Sequence, residues 1–132
     1  MTEEEYKEDE LIPEVKIIRL ISGVDIVGFC FEDKEHTNLI TINSPMVIKL
    51  DRNSSEGLGL EPWLPVEILE FNMCAISYSD VLTVYYPRDD FIGYFVRLAN
   101  KINETIKESN EKYEAEQEEE ENPAENMKKV LH

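Results

Sequence analysis

Few of the 132 residues have types and spacings suited to chemistry. The two histidines, His36 in a polar stretch and His132 at the last position, have no companion His, Cys or Asp at ligand spacing, so no metal site is expected. Cys30 and Cys74 lie far apart without a CxxC partner, and read as two buried thiols of a cytosolic protein rather than a disulfide. There is no GxSxG nucleophile motif and no GxxxxGK phosphate loop. Gly57-Leu58-Gly59 is only a GxG, followed by Pro62 rather than by a helix start. Carboxylate pairs are plentiful, but 29 Asp plus Glu in one short chain produce pairs by chance, and a solvated acidic face is the simplest reading. Neither an enzyme nor a cofactor is expected. Two aromatic residues remain. Trp63, between Pro62 and Pro65, either caps the core or anchors a partner; Tyr78, in a tight turn, either stacks on a base or finishes the end of a sheet.

The elements that must position these residues are bounded by length and charge. A chain of this size fits one domain. Its net charge of −16 opposes a nucleic-acid grip over the whole surface and attachment to anionic lipid, both of which need clustered Lys and Arg. No apolar run approaches the roughly 20 residues of a membrane-spanning helix, and the acidic start of the chain is unlike a secretory signal. Residues 1–14 hold seven acids and one lysine, with too few bulky apolar side chains to offset their ordering entropy, so an acidic, disordered tail is expected there.

Residues 15–87 read as strands. Runs rich in β-branched residues cover 15–21, 24–31, 39–50, 66–77 and 81–86. Ser22-Gly23 bends the chain between the first two, and Gly28 inside the second suggests a kink or a close backbone approach. Pro45 marks an edge, a bulge or an interruption in the third run, and 51–62 is a loop by composition. Five short strands joined by tight turns predict a mainly β fold, a small and strongly bent barrel. After Pro87 the period changes. Phe91, Phe95, Leu98, Ile102 and Ile106 recur at helical spacing, predicting an amphipathic helix over 88–113 that packs on the barrel. From Glu114 the chain is nearly all acid, and 114–132 is expected to be a flexible acidic tail. Within it Met127, Val130 and Leu131 stand at i, i+3 and i+4, the spacing of a short docking peptide.

Leu20-Ile21-Ser22-Gly23-Val24-Asp25-Ile26-Val27-Gly28 has the form L-x-x-G-x-x-h-x-G, where h is apolar. It resembles the first motif of the Sm/LSm/Hfq superfamily, on strands one and two of a bent five-stranded barrel. The GLGLEPWLP and VLTVYYP segments resemble small Sm-like proteins of marine tailed phages. The likeness spans about residues 15–87. The second Sm motif would fall on 76–82, where the apolar flanks remain but Ser77-Tyr78 replaces Arg-Gly.

The resemblance implies a phage-encoded cytoplasmic protein that assembles as a ring, strand four of one copy pairing with strand five of the next. On this chain those strands would contribute Phe71, Met73, Ile76, Val81, Thr83 and Tyr85 to the interface between copies. Single-stranded RNA would then meet the turns after strands two and four, at Lys34, Asn38, Ser77 and Tyr78. The alternative is an acidic module, or nucleic-acid mimic, that binds a basic protein partner and no RNA; Trp63 is its candidate anchor.

Overall fold

In a computed structural model of the chain, residues 13–32, 35 and 37–120 are described, with side chains through 118. Six strands form one antiparallel sheet: β1 (Glu14–Leu20), β2 (Asp25–Glu32), β3 (Leu39–Leu50), β4 (Leu58–Pro62), β5 (Met73–Ser77) and β6 (Val81–Tyr85). A helix, α1 (Asp89–Glu120), follows β6. The strand order is β4-β3-β2-β1-β6, with β5 pairing the first half of β3. The sheet curls but stays open.

The sheet is apolar on both faces, which adjacent β-branched residues make possible because successive side chains point to opposite sides. Ile18 and Ile26 face one way, into a core with Cys30, Ile40, Ile42 and Ile76. Ile17 and Val27 face the other way, against Met46, Phe95 and Ala99. The helix therefore covers the second face. Its stripe from Phe91 to Ile102 seats on the sheet, with Phe95 and Ala99 fully buried and the Phe95 ring tilted, its centre 5.1 Å from that of Phe29. Ile106 is the last buried residue of α1, and 111–118 are exposed. The helix nevertheless continues past 113 to Glu120.

The bend has an identifiable cause. Val27 pairs with Met46, but Phe29 pairs with Asn43, so β3 holds one extra residue opposite Gly28. That bulge sits at Ser44, whose φ of 58° is the only positive value among described non-glycine residues. It reverses which side of β3 faces which core: Ile40 and Ile42 join the first, Met46 the second. Gly28 is needed opposite the bulge because a Cβ there would collide with Cγ2 of Ile42 and sit 3.2 Å from the Asn43 carbonyl oxygen. The hairpin between β1 and β2 turns through Gly23 at φ 92°, with Gly23 N–H donating to the Leu20 carbonyl at 2.8 Å.

Three expectations need correction. In place of a barrel of five strands, the described residues form an open sheet of six. The loop expected over 51–62 contains β4, and the strand expected over 66–77 forms only as β5; Val66–Ile68 is a 3-10 turn. The reason lies in β3. Pro62 pairs with Met46 and Met73 with Asn43, so between these pairs β3 has only Ser44 and Pro45 while its partner has residues 63–72. Those residues must loop out, whatever their β propensity. The residues expected as a tail over 1–14 lie outside the described part except Pro13 and Glu14, and Glu14 opens β1. Of the tail expected over 114–132, residues 121–132 lie outside the described part.

Candidate functional site

The curl leaves the outer edges of β4, β5 and β6 without a partner among the described residues, and two of these, β5 and β6, adjoin in sequence. β5 pairs only with β3, and β6 only with β1. They are joined by a single 3-10 turn, Tyr78–Asp80, so these two unpaired edges lie next to one another in sequence. Ser77 builds that turn: its Oγ accepts from Ser79 N–H at 3.3 Å and lies 2.8 Å from the Ser79 hydroxyl. The Asp80 carbonyl closes it by accepting from Ile21 N–H at 3.0 Å.

Three of the four residues named for RNA come together here. Ser77 pairs in register with Leu39, and Tyr78 N–H donates to the Asn38 carbonyl at 3.0 Å. Asn38, Ser77 and Tyr78 therefore share one end of the sheet, with Asn38 and Tyr78 exposed. Lys34 lies outside the described residues. The same end carries Glu32, whose carboxylate accepts from the Tyr78 hydroxyl at 3.2 Å. Burial and then this carboxylate push the Tyr78 phenol above its ordinary range. Glu32 and Glu14 also bracket Lys16, at 3.8 and 3.7 Å from its Nζ, and the ammonium lies 5.9 Å from the centre of the Tyr86 ring. Lys16 is thus already engaged by two carboxylates, and this end of the sheet is acidic.

The residues named for the interface between copies divide into three kinds. Phe71, Met73 and Thr83 are exposed on or beside the edge strands. Val81 and Tyr85 are half-buried, one against each core. Ile76 is buried in the first core, so only its backbone belongs to the edge. Leu82 and Tyr86, which the sequence reading did not single out, add exposed apolar surface along and just beyond β6. Trp63 is half-buried and packs against the first core, its backbone N–H donating to the Pro45 carbonyl at 3.0 Å; it caps the bend.

A polar cluster that the sequence reading missed holds the bulge in place. Ser44 N–H donates to the Asn72 carbonyl at 2.7 Å, and its hydroxyl donates to Asn43 Oδ1 at 2.7 Å. Asn103 on α1 donates from Nδ2 to Ser44 Oγ at 2.8 Å and accepts from Asn72 Nδ2 at 3.2 Å. The signal was present: Asn43-Ser44-Pro45 interrupts an apolar strand, and Asn103 adjoins the helical stripe. Neither residue type identifies its partner 59 positions away.

Among the described residues no group of His, Cys, Asp and Glu is arranged to hold a metal ion, and the two cysteines are free thiols. Burial pushes the Cys30 thiol up to about 11. No described helix is long and apolar enough to cross a membrane. No protein-family model and no curated protein matches the chain.

Proposed function

We propose that this chain is an Sm-like subunit that assembles into a ring by pairing β5 of one copy with β6 of the next, and that the ring is a binding module for single-stranded RNA. The observation that carries the reading is the pair of open edges on adjacent strands of a curled sheet. An exposed strand edge is a template for another chain unless it is covered, shortened or charged. Here the edges carry exposed Met73, Leu82 and Thr83 with no lysine on either strand. Repeating one edge-to-edge contact around a rotation axis satisfies the β5 and β6 edges of every copy at once, which an isolated copy does not do. The motif at 20–28 supports the same reading, because its two glycines are used at a hairpin and opposite a bulge.

The RNA assignment rests on the meeting of Asn38, Ser77 and Tyr78 at one end of the sheet, where a base would stack on the Tyr78 ring and bond to the Asn38 amide. Fluorescence anisotropy with oligo-U and oligo-A at low salt tests it. Binding that falls steeply with salt and is lost in Tyr78→Ala is the expected result; no binding at low salt ends the assignment.

A second reading is favoured by Glu32. Its carboxylate holds the Tyr78 hydroxyl and, with Glu14, engages Lys16, so a basic protein segment meets better charge complementarity there than a phosphate backbone does. In that case the ring is a protein-interaction module of the host cytoplasm, and binding to polylysine in place of RNA distinguishes it.

A further inference from the structure

Residues 66–71 loop out beside the second half of α1 and leave a groove of about 750 Å³ between loop and helix. Ile68, Phe71 and Tyr113 line it while being 80%, 68% and 62% exposed, so three large apolar side chains from two elements face solvent together. Glu67, Glu70 and Glu114 line the same groove, with no Lys or Arg among its described lining residues. Asn110 fixes the spacing of its walls by donating to the Glu70 carbonyl at 3.1 Å. An apolar floor with an acidic rim fits a short segment that carries apolar residues at helical spacing and positive charge between them.

This chain contains such a segment. Met127, Val130 and Leu131 stand at i, i+3 and i+4, and Lys128 and Lys129 are the only Lys or Arg after Lys112. We infer that Met127–Leu131 docks in the groove of its own chain, its apolar side chains against Ile68, Phe71 and Tyr113 and its lysines toward Glu67, Glu70 and Glu114. The reach is sufficient. Tyr113 lies about 10 Å back along the helix from Glu120 at about 1.5 Å per residue. Residues 121–126 span up to about 20 Å when extended. Pro123 in that stretch disfavours a helix that would carry the segment away from the groove. The inference does not depend on ring formation.

Methyl NMR on the full chain tests it, with Val130 and Leu131 methyl-labelled and the oligomeric state measured on the same sample. The expected result is a set of contacts from both residues to the Phe71 and Tyr113 rings. They should be independent of protein concentration and lost in both Ile68→Glu and Leu131→Asp. Raising the salt should weaken them. Random-coil methyl shifts unchanged by either substitution would overturn the inference. So would contacts seen only between differently labelled copies, since those place the segment on a neighbour. A monomer that shows the contacts supports docking while refuting the ring, so the two outcomes are read separately.

Discussion

The Tyr78 hydroxyl donates to Glu32 Oε1 at 3.2 Å across 46 positions of sequence, tying the turn between the edge strands to the end of β2. The aromatic ring best placed to stack on a base is thus held by a carboxylate. Glu32→Gln keeps the side-chain shape and removes the charge. It is expected to lower the Tyr78 pKa toward the ordinary phenol value, read by NMR titration of ring-labelled tyrosine. The shift will be incomplete, because burial is the larger cause. The same variant should tighten oligo-U binding under the RNA reading and weaken polylysine binding under the protein reading.

The Ser44 bulge makes a second expectation concrete. Asn103→Ala removes the donor to Ser44 Oγ and the acceptor for Asn72 Nδ2, while leaving those buried groups in place. A loss of about 1–3 kcal/mol is expected for such uncompensated burial, measured by urea denaturation. Asn100→Ala, on an exposed part of the same helix, should cost far less.

Gly28→Ala probes the other side of the bend. The added methyl meets Ile42 Cγ2 and the Asn43 carbonyl oxygen, one a stiff β-branched side chain and the other backbone. Overpacking of this kind costs about 1–3 kcal/mol, which exceeds the gain from restricting the unfolded chain. A midpoint equal to or above that of the parent protein would show that the bend relaxes without cost.

Much of this bend was legible in the sequence. The glycine spacing at 23 and 28 and the interruption at Pro45 mark the turn, the kink and the irregular point of β3. The helical stripe to Ile106 anticipated the buried face of α1. The division of the fourth strand was not legible. Val66, Ile68, Leu69 and Phe71 have the residue types of a strand, and only the lack of a free partner on β3 between Asn43 and Met46 expels them. The continuation of α1 over its glutamates was missed for a related reason: repulsion on an exposed helix is spread through solvent and is weak. Neighbourhoods such as Glu32 beside Tyr78 arise from strand register and are invisible to local pattern.

Cys30 gives a pH expectation. The residue is 5% exposed, and burial pushes its thiol pKa up to about 11 in the folded protein. In the unfolded chain the thiol ionises near the ordinary value of about 8.5–9. The folded state therefore holds its proton where the unfolded state has released it, and stability falls as pH rises from about 9 through 11. Urea midpoints across that range should decline more for the parent protein than for Cys30→Ala. Equal declines would show that the thiol ionises freely in the folded state.

The edge strands carry the central claim. Leu82 is 64% exposed on β6, so Leu82→Asp disturbs no core, yet it places a charge beside the proposed contact. Native mass spectrometry of the parent protein and this variant is the most direct measurement. Ring assembly requires a closed multiple of the 15.4 kDa chain for the parent and a shift toward single chains for Leu82→Asp, with unchanged circular dichroism. A parent protein that remains a single 15.4 kDa species at micromolar concentration would contradict the account.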